Sequence, residues 1–195
     1  MPDAQTLLAT RRSVPIPMMA EPGPSNEQIT QILTAASRVP DHGKLAPWRF
    51  ILFRGEAADA IGSALAARAE AIEGGPLSPS RRSYEEGRFR RAPLVIGVVS
   101  TARPHFKIPE WEQVLSAGAA TMNLMQAAHA LGFGANWITE WPAYDEEAKS
   151  IMGILPEEKV VGFIYIGSPT EAPSDRPRPD LAAIVSEAPI PTLGG

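Results

Sequence analysis

Residues 110–131, EWEQVLSAGAATMNLMQAAHAL, constrain this chain more than any other stretch. The composition favours a helix, yet the helix is apolar on most of its faces and rich in Ala, Gly and Ser. Such a helix cannot lie on a surface with one wet side. It belongs in the centre of a fold or at a subunit interface, where small side chains let neighbours approach closely. Gly132 ends it, because a glycine just past a helix takes the left-handed turn that closes the last carbonyls.

The remaining elements must be arranged around that helix. Residues 49–54 (RFILFR), 94–100 (LVIGVVS), 135–139 (ANWIT) and 159–167 (KVVGFIYIG) read as short buried strands. Residues 3–10 read as a helix with Asp3 as cap. Residues 26–38 follow Ser25 and Gln28, a capping box, and place Ile29, Ile32, Leu33 and Ala36 on one face. Helices are also expected over 56–72 and 145–153. Residues 14–24 carry four prolines and read as loop. Residues 74–92 combine Gly74-Gly75, two prolines and a run of charges, and read as the most mobile region. Helices and strands are interspersed but do not alternate cleanly, so the class is α+β rather than a doubly wound dinucleotide fold.

Charge and composition exclude several functions. The formal net charge is -4, which argues against a general nucleic-acid binder. There is no cysteine, so disulfides, thiolate metal sites and cysteine nucleophiles are ruled out. No apolar run reaches the roughly 20 residues that span a bilayer. The first residues lack the order of a signal peptide, so the cytoplasm is the expected location. The 195 residues suit one domain. Twenty prolines cluster at 15–24 and 169–191, which predicts extended arms, the later one from about 168 to 195. Arms of this kind need a surface to lie on, and a second subunit is one candidate.

Four groups of residues are suited to chemistry. Arg11, Arg12 and Ser13 can hold a phosphate, with bidentate guanidinium contacts and a short hydroxyl hydrogen bond. They can equally be the solvated end of a helix. Arg38-Val39-Pro40-Asp41-His42-Gly43-Lys44, followed by Pro47-Trp48, packs more polar groups into one loop than a plain connection needs. His42 there is either a general acid or a hydrogen-bond donor to a ligand, and no second histidine stands at metal-ligand spacing. Gly132-Phe133-Gly134 follows a helix, so it is a helix stop and not a dinucleotide loop. Arg176 and Arg178, stiffened by prolines, present two guanidinium groups on one side of an extended segment, or are simply part of a soluble tail. His105 and His129 read as structural.

Taken in order, these features resemble the FMN-dependent nitroreductase superfamily. The set comprises a first helix ending Arg-Arg-Ser, a Pro-Asp-His and Pro-Trp loop, a long Ala/Gly helix ending Leu-Gly-Phe-Gly, a following tryptophan, and a late Val-Gly-Phe-X-Tyr-X-Gly-X-Pro strand. Arg38–His42 and Trp111–Gly118 are most like the small YdjA-type branch. The resemblance covers about residues 3–170. It implies a three-layer α/β/α sandwich around a central mixed sheet, with the long helix central to a homodimer and FMN at the interface. Arg11, Arg12, Ser13, Arg38, His42, Trp137, Ile138 and Thr139 match the family's flavin-binding positions. Arg176 and Arg178 resemble the Lys/Arg-X-Arg pair that holds the FMN phosphate in larger relatives. Ala127, Ala128, His129, Ala130, Leu131 and Gly132 match the stretch linked to NAD(P). The chain departs from the pattern in reading Ile138-Thr139-Glu140 where the branch commonly has Arg-Ser-Gly, and Ala46 where many relatives have Gln.

The implied function is electron transfer from NAD(P)H through FMN to a nitroaromatic, a quinone or a similar acceptor, by a ping-pong route. No side chain acts as nucleophile, and no metal is needed. Arg12, Arg38 and Lys44 are candidates for stabilising the reduced, anionic flavin. Two other readings stand beside this one. The first is a flavin-binding or flavin-modifying protein without nitroreductase activity; the second is a non-enzymatic dimer whose arms bind partners.

Overall fold

Strand Leu94–Ser100 (β3) is buried along its whole length, and its side chains alternate between two separate cores. Val95 and Val99 enter one; Leu94, Ile96 and Val98 enter the other. A strand buried on both faces implies a layer above and a layer below. Strand Lys159–Pro169 (β5) pairs antiparallel with β3 and repeats the alternation, with Phe163 and Tyr165 on one side and Ile164 and Ile166 on the other. Strand Trp48–Phe53 (β2) pairs with the free edge of β3, Gly134–Ile138 (β4) pairs with β5, and the two-residue Met19–Ala20 (β1) pairs with the last residues of β5. The computed structural model describes residues 3–189.

Two helix layers flank this sheet. On one face, Asn26–Ala36 (α2) packs Ile29, Ile32 and Ala36 against Leu124, Met125 and Ala128 of the long helix Glu110–Ala130 (α5). The capping box at its start is formed: Gln28 N donates to Ser25 Oγ at 3.2 Å, and Ser25 N donates to Gln28 Oε1 at 2.9 Å. On the other face lie Gly55–Glu73 (α3) and Glu146–Ile151 (α6), with Ala58, Leu65 and Ala148 in a core built on a Phe53–Phe89 stack at 3.9 Å. The remaining helices are Ala4–Thr10 (α1), Pro79–Glu86 (α4) and Leu181–Ile184 (α7). The three-layer α+β sandwich is therefore present. Among the described residues no helix is long and apolar enough to cross a membrane.

Three expectations need correction. Every strand pairing among the described residues is antiparallel, so the sheet is not mixed. Residues 14–24 are not all loop, because β1 lies within them. Residues 74–92 are ordered. Their charges look like a solvated run but are neutralised in pairs: Arg90 with Asp59 at 2.6 Å, Arg81 with Glu85 at 2.9 Å, Arg82 with Glu70, and Arg88 with Glu85. Glu85 and Arg88 are 0% and 1% exposed. Gly62 lets the backbones of α3 and α4 meet; a Cβ there would stand 2.0 Å from the Glu86 carbonyl oxygen. The proline-rich arm begins after β5 and includes α7; its last residues, 190–195, lie outside the described part.

Candidate active site

The segment after α1 is tied to the sheet by its backbone. Val14 N donates to Ala135 O at 3.1 Å, and Asn136 Nδ2 donates to Val14 O at 2.9 Å. His129, near the end of α5, has Nε2 2.7 Å from Arg12 O and Nδ1 2.7 Å from Met125 O. Gly132 then turns the chain at φ 89°, with Phe133 N donating to Ala128 O at 3.0 Å, so β4 starts beside the Arg11–Val14 segment. Trp137 is held flat on the sheet: its Nε1 donates to Val161 O at 2.9 Å, and a Cβ at Gly162 would collide with its indole at 2.1 Å.

These ties build a groove of about 450 Å³ lined by Arg11, Ser13, Met122, Met125, Trp137, Ile138 and Thr139. One end is cationic. Arg11 Nη1 is buried and has no hydrogen-bond partner. Burial, and then the charges of Arg12, Arg178 and Arg176, push the Arg11 guanidinium below its usual range. Asp175 is the carboxylate that faces this cluster, 3.7 Å from Arg12 and 3.3 Å from Arg178. A buried donor without an acceptor is costly, by about 1–3 kcal/mol. Arg11 and the three guanidinium groups that act on it therefore suit an anionic ligand group.

Arg38 and His42 lie elsewhere. Asn123 of α5 donates to the carbonyls of Ala35 and Arg38 and fixes the end of α2. Asp41 then holds the loop, accepting from Leu45 N at 3.0 Å and Ala46 N at 2.9 Å, while Gly43, Lys44 and Ala46 all adopt positive φ. His42 Nδ1 is 2.7 Å from Glu112 Oε2. This pair lines a second hollow of about 340 Å³ with Pro40, Leu115, Ser116 and Ala119. The two hollows share no lining residue, but both abut α5.

Glu140 follows directly on the groove wall at φ 59°, ψ 178°, a region that glycine alone takes without cost. A non-glycine residue there is strained by about 1–3 kcal/mol. Its carboxylate accepts from Arg91 Nη2 at 2.9 Å and from the Tyr84 hydroxyl at 2.9 Å, and it also pairs with Arg88. Burial raises this carboxyl, but the Arg91 hydrogen bond and the charges of Arg88 and Arg91 outweigh it and hold the group below the usual range.

A family profile described as "Nitroreductase family" matches residues 8–168, a span that contains the groove, the Asp41 loop and all but the last residue of β5. The chain belongs to the nitroreductase family. Two similar nitroreductases have curated names. The Escherichia coli (strain K12) protein "Putative NAD(P)H nitroreductase YdjA" is 39% identical over 171 residues, which are 86% of this chain and 88% of that one. A Haemophilus influenzae protein, "Putative NAD(P)H nitroreductase", is 38% identical over 170 residues, 87% and 90% of the two chains. Among crystal structures, a nitroreductase-like family protein from Bacillus cereus superposes with a TM-score of 0.79 at 21% identity, covering 96% and 97% of the chains. A Desulfovibrio desulfuricans protein described as a "putative nitroreductase in complex with fmn" superposes with 0.72 at 26% identity, covering 98% and 99%.

Set against this nitroreductase frame, the expected residues fall into two sets. Arg11, Ser13, Trp137, Ile138 and Thr139 line one groove; Arg12, Arg176 and Arg178 do not line it but act by their charges on Arg11; His42 lines the other hollow, and Arg38 precedes it in the same loop. Within Ala127–Gly132, Ala128 is fully buried, and His129 is engaged with two carbonyl oxygens. Sequence reasoning missed Met122 and Met125 as groove lining, Glu112 as the partner of His42, and Glu140. The methionines stand one helical turn apart and carried a usable signal. Glu140 carried one signal, a glutamate where the similar branch commonly has glycine, but its partners lie 49 to 56 residues away and could not be read.

Proposed function

We propose that this protein is an FMN-dependent NAD(P)H oxidoreductase of the nitroreductase kind, acting as a homodimer on nitroaromatic, quinone or similar acceptors. One observation carries the reading: the buried, unpartnered Arg11 Nη1 among Arg12, Arg176 and Arg178, at the end of a groove floored by methionines and walled by Trp137. A flat, apolar ring system with a phosphate tail matches that division. The relatives named for NAD(P)H and the FMN-bound structural neighbour agree with it.

In this reading Arg11, Arg12, Arg176, Arg178 and the Ser13 hydroxyl hold the phosphate, and the backbone at Ile138–Thr139 supports the ring. Bound FMN supplies the two-electron chemistry between NAD(P)H and the acceptor. Donor and acceptor would enter the same groove in turn, which would make the kinetics ping-pong. Ala127–Gly132, at the end of α5, is where the nicotinamide nucleotide would approach. No side chain serves as nucleophile.

The second copy supplies what one chain lacks. Trp111 and Leu115 on α5 are 68% and 53% exposed, and a Cβ added at Gly118 would meet nothing within 4 Å. With Ala119 and Met122 they form an open apolar stripe joining the two hollows. Another α5 packed there would bring the Arg38–His42 loop of one chain towards the groove of the other, which gives the separated set its role. The rest of the reading is one domain with a C-terminal arm, in the cytoplasm.

The test is a visible absorption spectrum of the purified protein under anaerobic conditions, before and after NAD(P)H. Flavin bands that bleach support the reading. Absence of bands even after incubation with FMN refutes it; bands that bleach with no acceptor restoring them leave a flavoprotein without nitroreductase activity.

A further inference from the structure

The side chain of Glu140 and its backbone pull in opposite directions. Glycine reaches φ 59°, ψ 178° freely because it lacks a Cβ, whereas any other residue resists. Some force must keep a glutamate there. Its partners come from a distant part of the chain: Tyr84 from α4, and Arg88 and Arg91 from the turns that follow. These partners are themselves fixed. Arg88 is buried against Glu85, whose carboxylate also accepts from Trp141 Nε1 at 3.1 Å. Arg91 donates to the Tyr165 hydroxyl at 2.8 Å, and that hydroxyl donates to Arg88 O at 3.0 Å. The network is anchored to α4 and β5 and ends on the residue that follows Thr139. Thr139 is held from the other side by the Tyr144 hydroxyl at 3.1 Å.

We propose that Glu140 is a positioning residue for the flavin groove: gripped by Arg88, Arg91 and Tyr84, it forces the backbone into the glycine-like conformation that sets the Ile138–Thr139 wall. The ordered 79–91 segment thereby controls a site to which it contributes no lining residue. This inference rests on the flavin reading above. It makes an unusual demand on substitutions. Glutamate holds the conformation by its ion pairs and glycine holds it by having no side chain; alanine has neither means.

The experiment compares wild type, Glu140→Ala and Glu140→Gly in two measurements. One is amide hydrogen exchange at Ile138 and Thr139 in the apoprotein; the other is FMN affinity by flavin fluorescence titration. Glu140→Ala is expected to speed exchange at both amides and to raise the FMN dissociation constant about tenfold. Glu140→Gly is expected to stay within about threefold of wild type in affinity. Equal losses in the two variants would overturn the proposal, since both lose the ion pairs alike. So would a Glu140→Ala protein indistinguishable from wild type. If Glu140→Ala fails to fold, Tyr84→Phe removes one donor and keeps both arginines; it should weaken FMN about two- to threefold, and no change would overturn the proposal. A wild type that binds no FMN defeats the flavin reading instead, and the exchange rates alone then decide whether Glu140 holds the wall.

Discussion

Arg11 is the residue on which the flavin reading turns. Its buried Nη1 lacks an acceptor, and three like charges act on it. On the flavin reading, replacing it with methionine, of similar length and no charge, removes a destabilising group from the empty protein and a phosphate contact from the loaded one. Arg11→Met is therefore expected to melt no lower than wild type as apoprotein, while FMN binding weakens by about 1.5–3 kcal/mol, the worth of a charged hydrogen bond. Thermal denaturation and fluorescence titration check the two halves; unchanged FMN affinity would move the phosphate elsewhere. Acid behaviour is also set by single residues. The Glu158 carboxyl is held below its usual range by hydrogen bonds from Arg49, and that of Asp145 by those from Arg68. In each case the unfolded chain binds protons more readily than the folded one. The stability these pairs give is complete above the unfolded carboxyl values of about 4 and is lost as pH falls through the lower folded values. Melting temperature should hold steady from about pH 7 to 5 and drop steeply towards pH 3; a fall already at pH 5–6 would point to other groups.

At the scale of elements, α4 depends on its approach to α3. Gly62→Ala would press a methyl group into the Glu86 carbonyl, and the two backbones would have to separate. Overpacking of this kind costs about 1–3 kcal/mol or more, which for a chain of this size lowers the melting temperature by about 5 °C. A melt equal to wild type would show that α4 rides loosely on α3. This contact also marks where sequence reading stopped. β3, β5 and α5 were legible because each is patterned within itself: unbroken apolar runs for the strands, and small apolar residues on most faces for the helix. The Ser25–Gln28 box was legible because both partners are local. α4 was not, since a charged, proline-flanked stretch looks solvated until Asp59, Glu70 and Glu140 are brought beside it. The two-residue β1 had no pattern to show, and strand direction was not readable from any single strand. Of the candidate site, Arg11, Ser13 and Trp137–Thr139 stood out in the sequence and line one groove; the separate position of Arg38 and His42 depends on the course of α5.

For the whole molecule, the open stripe on α5 predicts assembly. Leu115→Asp places a charge on that stripe without disturbing a buried contact. The variant is expected to sediment as a monomer and to lose most of its FMN, whereas wild type sediments as a dimer with two flavins. A monomeric wild type that retains FMN would end the dimer proposal. The separation of the two hollows has a further consequence, visible in genetics rather than in a crystal. If each site draws Arg11 from one chain and His42 from the other, chains carrying Arg11→Met and chains carrying His42→Ala are each defective alone. Mixed together, they form hybrids in which one site inherits both lesions and the other inherits none. With random pairing, about a quarter of all sites would be intact. Two inactive alleles would then restore partial activity to each other inside one cell.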